Sequence, residues 1–354
     1  MEPDRAFVAG QDFLLGAKMF WLTRMTPALA GEYRRREALA AAKPASVDDV
    51  EALIGDSPLY RAFAFLERHL QREKYSGRYG LQPWHEGRRA ALEQALDAPL
   101  PEGLLTLDPE LELPRYYTGT DIHQHPGGVW SDRVAPFVYE RGARSTTPML
   151  GQRHADLHDR FTALVGERIQ PGTIADLGCG FGKSTRPFYQ AFRDAEVTAL
   201  DLSAPCVTYA AQQAARDQAR NVRFRQADAQ ATGLAGGAFD LVTSTMLLHE
   251  MPPPALDRLF AETFRLLAPG GKAIHLDFWL LPDLFRRFLH YGHSRRNNEP
   301  FMPPLAEMDL KGELERHGFR NVEILPFAEA DGALDPASMA WRFPWTVILA
   351  EKPA

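Results

Sequence analysis

The sequence predicts an α/β protein: a doubly wound, mostly parallel sheet preceded by an α-helical N-terminal region. Three observations carry this. After residue 153, short apolar runs alternate with helical stretches, the pattern of strands and crossover helices in an open sheet. Thr173-Ile174-Ala175-Asp176 runs into Leu177-Gly178-Cys179-Gly180-Phe181-Gly182, an acid followed by glycines at every second position. A strand that ends in such a turn brings bare backbone to a ligand. Residues 1–96, by contrast, repeat apolar side chains at helical spacing.

The N-terminal elements follow in order. Phe13, Leu14, Ala17, Phe20, Trp21 and Met25 form one helical stripe, which Pro27 is expected to break or kink. Ser46 precedes Val47-Asp48-Asp49-Val50-Glu51 as an N-cap with acids in the first turn. Ser57-Pro58 opens the next helix, with Tyr60, Phe63, Ala64, Leu66 and Leu70 on its apolar side. A further helix spans 83–96. From 97 to 114 proline is frequent and periodicity is lost, so a linker is expected. Tyr116-Tyr117-Thr118-Gly119-Thr120-Asp121-Ile122-His123-Gln124-His125-Pro126-Gly127-Gly128-Val129-Trp130 is too rich in aromatics, histidines and glycines for a packed helix and suits a functional loop. A helix from Arg153 leads into the sheet region. Expected boundaries are therefore 1–114 for the helical region and linker, 115–152 for a cap segment, and 153–354 for the α/β core. An extra piece at about 278–304 interrupts that core.

The glycine loop is neither of two familiar types. A dinucleotide fingerprint needs a third glycine where Lys183 stands, and a phosphate-binding P-loop needs one more residue between Gly178 and Gly182. What remains is Asp-x-Gly-x-Gly-x-Gly. Glu196-Val197-Thr198-Ala199-Leu200-Asp201 is a second strand ending in a carboxylate, which can accept ribose hydroxyls. Val222 to Gln226 leads to a third acid, Asp228. Phe239 to Thr245, with Leu247-Leu248-His249-Glu250 after it, reads as a fourth strand and its loop. Arg265-Leu266-Leu267-Ala268-Pro269-Gly270-Gly271-Lys272 reads as a helix end and turn before a fifth strand. Val322-Glu323-Ile324-Leu325 and Trp345 to Ala350 are the last strands.

Together these pieces resemble the class I S-adenosylmethionine (SAM)-dependent methyltransferases, closest to the small-molecule, ubiquinone-methyltransferase-like branch. The resemblance covers roughly residues 150–354. It implies a Rossmann-like core of seven strands with the last antiparallel, SAM as cofactor, and methyl transfer to a small, partly apolar acceptor by in-line displacement. It implies cofactor contacts at Asp176, Gly178, Cys179, Gly180, Gly182, Asp201, Leu202, Asp228, Ala229 and Thr245, with Asp228 beside the adenine amino group. It also implies that the segment before the core folds over cofactor and acceptor, and that 278–304 is part of an acceptor lid.

Methyl transfer from a sulfonium needs alignment above all, and a general base only where the acceptor must lose a proton. His249, just past the fourth strand, is the leading candidate for that base; contact with a ligand and capping of the next helix are its alternatives. His123 and His125 are further catalytic candidates, as base, acceptor anchor or metal pair, with loop structure as the alternative. They do not form a three-ligand set, so no metal is expected. Tyr117, Asp277 and His290 are candidate acceptor contacts, each with a structural alternative.

Composition narrows the classes. A net charge of −6 argues against a nucleic-acid surface. Only two cysteines occur, Cys179 and Cys206, so a disulfide framework is excluded. No apolar run spans a bilayer, and Asp4 and Asp12 do not suit a secretory signal; a cytoplasmic protein is expected. The helical region has three roles open to it: a homodimer contact, a cap on the pocket, or a site for the acceptor's carrier. Two other function classes stay open: a SAM-binding scaffold or regulator without transfer activity, and a nucleotide-dependent oxidoreductase, which Lys183 disfavours.

Overall fold

The computed structural model describes residues 4–128, 132–143, 154–329, 331–332, 334–335 and 345–354. Its sheet is built from β1 (Leu105–Thr106), β2 (Thr173–Leu177), β3 (Glu196–Asp201), β4 (Val222–Gln226), β5 (Phe239–Thr245), β6 (Leu267–Asp277), β7 (Arg320–Phe327) and β8 (Trp345–Glu351). They lie in the order β1-β4-β3-β2-β5-β6-β8-β7. β8 is antiparallel to β6 and β7, and the other pairs are parallel. The chain winds outward from β2 to β4, then returns to place β5 on the other side of β2. That reversal leaves a crevice at the carboxyl ends of β2 and β5, where open sheets bind ligands.

The strands are apolar on both sides because both sides are covered. Successive residues point to opposite faces. Ile174, Val197, Leu241 and Ile274 join one core with Phe161, Phe188 and Phe224. Ala175, Leu200, Val242 and Ala273 join the other, with Leu256, Leu259, Phe260 and Phe319.

One strand was not expected. The 97–114 linker contributes β1, which pairs Leu105 with Phe224 and makes the sheet eight-stranded. Gln212 ties the linker down by donating to the carbonyls of Leu96 and Ala98.

The N-terminal region is helical as read. Of the break or kink expected at Pro27 the break is absent: helices Arg5–Phe20 and Thr26–Leu39 run on through a π-helical turn at Trp21–Met25. Proline has no N–H, and its ring collides with the carbonyl four residues back. The wider turn, in which Thr26 N–H reaches Trp21 C=O, accommodates it. Ser46 and Ser57 cap the helices Val47–Ile54 and Pro58–Ser76. At Ser46 the Asp49 carboxylate completes a reciprocal capping box.

The 278–304 insertion forms the helix Leu284–Asn297, ended by Asn298 in a left-handed conformation (φ 57°). Its Phe285, Phe288 and Leu289 pack into one cluster with Trp21, Leu29, Ile54 and Phe63. The insertion and the N-terminal helices thus share a core. In the 115–152 segment, short helical turns occupy Arg115–Thr118 and Ile122–Gln124, and a helix spans Ala135–Ala143. Val129, Trp130 and positions 144–153 lie outside the described residues. Among the described residues no helix is long and apolar enough to cross a membrane.

Candidate active site

A cavity of about 200 Å³ opens at the carboxyl edge of β2, β3 and β5. The loop after β2 forms its floor. Gly178 (φ 70°) passes so close to Leu247 that a β-carbon there would sit 2.7 Å from its side chain. At Gly180 (φ 51°) a β-carbon would meet only a Tyr139 ring carbon at 3.8 Å, so its open side faces the cavity. Gly182 has a different task. It does not line the cavity, and a β-carbon there would lie 2.8 Å from Ala210, so its bareness seats the helix Ala204–Arg216.

Asp201 ends β3 at the cavity. One carboxylate oxygen accepts from Gly180 N–H at 2.9 Å and the other from Ser203 N–H at 2.8 Å. Burial raises its pKa, against the lowering effect of those N–H groups. Asp228 and Ala229 follow β4, Leu202 follows β3, and Thr245 ends β5; all line the cavity. Thr245 Oγ1 is buried and has no hydrogen-bond partner among the described residues.

The opposite wall is a chain of imidazoles and carboxylates. His249 Nδ1 faces Asp277 Oδ1 at 2.6 Å, and its Nε2 faces Glu250 Oε1 at 3.4 Å. His123 Nε2 lies 3.2 Å from that same Glu250 oxygen, and its Nδ1 lies 3.0 Å from Glu299 Oε1. A neutral imidazole has one donor nitrogen; a carboxylate facing each nitrogen favours the doubly protonated, cationic ring. The charges agree. Burial alone would lower the pKa of His249, but Asp277 and Glu250 hold it well above its ordinary value. The same competition raises His123 to about 9, with Glu299 and Glu250 prevailing over burial. Burial would raise the Glu250 pKa, but the two histidines lower it.

His249, His123, Tyr117, Asp201, Leu202, Asp228, Ala229, Thr245, Gly178, Cys179 and Gly180 all reach the cavity. Five expected contacts do not. Asp176 is fully buried beneath the loop, where one oxygen accepts from Thr185 Oγ1 at 2.6 Å. Asp277 is buried behind His249 and also accepts from Leu248 and Phe278 N–H, so it orients the ring and the turn. His125 turns away from His123 and stacks on Tyr75, with centroids 5.1 Å apart; burial pushes its pKa down to about 3, leaving it neutral. His290 is buried in the insertion helix, away from the cavity. Gly182 is the fifth. His249, the leading candidate for a general base, reaches the cavity with carboxylates facing both of its ring nitrogens.

Glu250, Tyr139, Met246 and Glu299 were not foreseen. Glu250 stood next to His249 in the sequence, the one available signal. Met246 takes φ +59°, a strained conformation for a long side chain at the mouth of β5. Such strain has no sequence mark.

These residues fit SAM. The open side of Gly180 admits a ligand against backbone, the Asp201 carboxylate keeps lone pairs for hydroxyls, and Thr245 offers an unused hydroxyl. Tyr117, Tyr139 and Phe181 supply aromatic surface for a sulfonium cation.

Residues 174–271 match the family model described as a methyltransferase domain. The chain is 36% identical to the malonyl-[acyl-carrier protein] O-methyltransferase of Enterobacter lignolyticus, over 52% of this chain and 71% of that one. It is 30% identical to the O-methyltransferase cnsE of Penicillium expansum, over 54% and 74% of the two chains. Among solved structures, phosphoethanolamine N-methyltransferase 2 of Haemonchus contortus, with S-adenosylhomocysteine, aligns with a TM-score of 0.43 at 18% identity, over 55% of this chain and 53% of that one. With the glycine loop, the reversal between β2 and β5 and the two relatives in sequence, at 36% and 30% identity, the chain belongs to the class I SAM-dependent methyltransferases.

Proposed function

We propose that the methyl acceptor is a small, partly apolar molecule carrying a protic oxygen or nitrogen, and that it lies against Glu250, His123 and His249. The observation that supports this reading is the Glu250 carboxylate, which faces the same cavity as the glycine loop and has an oxygen, Oε2, without a partner among the described residues.

SAM supplies a methyl group already activated as a sulfonium. The chain has to align an acceptor with it, exclude water and take up one proton. Tyr116, Tyr117, Tyr139, Met251 and Phe278 give the cavity its apolar surface. Holding the partners in line there contributes on the order of 7–11 kcal/mol. SAM held on the glycine loop would give its methyl carbon to the acceptor's lone pair, and the carbon–sulfur electron pair would stay with sulfur. The acceptor's X–H proton becomes acidic as the new bond to carbon forms, so a carboxylate is a strong enough base for it. Glu250 Oε2 receives the proton. The His249 and His123 cations keep Glu250 ionised beforehand and share the charge change afterwards.

Among the described residues no arginine lines the cavity, and Lys183 of the glycine loop is the one lysine that does. A carboxylate placed to take up a proton supports a neutral, protic acceptor over a free phosphate or carboxylate, which has already lost its proton. A role in holding SAM without transfer gives no reason for a proton-accepting wall.

The test is Glu250→Gln, assayed against neutral phenols, enols and amines and against carboxylic acids. The expected result is a kcat loss of roughly 10²–10⁴-fold with unchanged affinity for S-adenosylhomocysteine. Full turnover in Glu250→Gln, or a preference for carboxylic acids, contradicts the reading.

A further inference from the structure

Beyond Glu250, the ionic chain continues out of the cavity and into the N-terminal helices. Glu299 is 2% exposed and follows the left-handed Asn298 that ends the insertion helix. Its Oε1 lies 3.0 Å from His123 Nδ1 and 3.2 Å from His293 Nε2. His293 Nδ1 in turn lies 2.6 Å from Glu67 Oε1, on the helix Pro58–Ser76, and Arg296 donates to the other oxygen of Glu67. Three segments remote in sequence therefore meet behind His123.

The backbone at this point is also held against its own preference. His123 and the next residue, Gln124, both take φ +57°, which non-glycine residues adopt at a cost and which clusters at functional sites. The surrounding elements fix it there. Gln71 donates to the His123 carbonyl at 3.0 Å, Gln124 to the Arg296 carbonyl at 2.7 Å, and Asn298 to the Asp121 carbonyl at 3.1 Å. A loop needing only to cover a cavity has no use for this arrangement.

We propose that Glu299 is a positioning residue for methyl transfer: it holds His123 on the cavity wall with both ring nitrogens donating, one to Glu299 and one to Glu250. The N-terminal helices, through Glu67 and His293, hold Glu299 in turn. This rests on the reading that His123 and Glu250 face the acceptor. It gives the helical region a part in the chemistry, because Glu67 ends the chain that sets the state of His123. The other ionisable groups beside His123 are His125 in its own segment and Tyr139 on the helix Ala135–Ala143; Lys74 and Tyr75 on the helix Pro58–Ser76 lie against His125. Among the carboxylates, Glu250 and Glu299 reach its ring nitrogens.

The experiment follows the ring nitrogens of His123 by NMR through a pH titration of the full-length protein. It is run on the wild type, Glu299→Gln and Glu299→Asp, with kcat against pH, calorimetric affinity for S-adenosylhomocysteine, and melting temperature on the same samples. In the wild type both nitrogens should carry protons at neutral pH and lose one only toward pH 9. In Glu299→Gln the titration should move down toward the ordinary value of about 6.5. The basic limb of kcat should move with it, and kcat at neutral pH should fall by roughly 10²-fold with the affinity unchanged. Glu299→Asp should restore part of both. A singly protonated His123 in the wild type at neutral pH overturns the proposal, whether or not the variants fold. Full turnover in His123→Gln overturns the acceptor-wall reading and this proposal with it. Lost turnover in His123→Gln, together with an unmoved titration and basic limb in Glu299→Gln, overturns this proposal alone.

Discussion

Asp176 shows how the same residue type takes different work from its surroundings. Asp201 and Asp228 each end or follow a strand at the cavity, whereas Asp176 stands one residue earlier on β2 and points into the fold. Burial raises its pKa to about 7, against the lowering effect of Thr185. An acid with a folded value near 7 and an unfolded value near 3.9 binds more protons when folded. The free protein should therefore lose stability as pH rises from about 4 to 7, and change little from this source above 7. The loss is on the order of a few kcal/mol. Denaturant unfolding of wild type and Asp176→Asn at pH 5 and pH 8 checks this. The wild type should weaken between the two conditions, and the variant, which has no carboxyl to ionise, should lack that loss. Equal pH dependence in both contradicts the assignment.

At this scale the sequence was informative where a residue's place on an element decides its role. His249 and Asp201 were legible because they follow apolar strands. Glu250 was not, because its importance comes from His123, which is remote in sequence. His125 was misjudged for the same reason: spacing put it beside His123, and only the left-handed backbone there turns the two rings apart.

Among the elements, the loop after β2 binds the site to the fold. Its open glycine face and its packing glycine serve different partners, Gly180 the cavity and Gly182 the helix Ala204–Arg216. Gly182→Val should be severely destabilising. A φ of 83° costs roughly 1–2 kcal/mol for an L side chain, and forcing a side chain against Ala210 adds about 1–3 kcal/mol. Thermal unfolding should show a melting temperature lower by several degrees. An unchanged melting temperature would show that the helix can retreat freely from the loop. The glycine spacing announced the loop, and alternating apolar runs announced the sheet. β1 escaped notice because two residues at an edge carry no periodicity. The π-helical turn escaped because Pro27 marks a conflict without stating how the helix resolves it.

Over the whole molecule, the N-terminal helices and the insertion helix bury one another's apolar faces. Phe288 is fully buried and lies 5.0 Å from the Tyr60 ring, and Phe285 stacks on Tyr33 at 4.6 Å. Phe288→Ala should cost about 3–5 kcal/mol. Because the cluster joins both regions, we expect the main calorimetric transition to move down as a unit. A new early transition for the helical region alone would show that it unfolds independently. Amphipathic stripes revealed these helices in the sequence, but not what their apolar faces cover, since that depends on a helix more than two hundred residues away.

The central claim is that SAM lies on the glycine loop with its reactive end toward the wall of His249, Glu250 and His123. A crystal structure of the protein with S-adenosylhomocysteine tests it most directly. The account expects the ribose hydroxyls on Asp201, the adenine beside Asp228, and the sulfur directed across the cavity at Glu250. A sulfur that points away from Glu250, or a ligand bound elsewhere than the Gly178–Gly180 backbone, would contradict it.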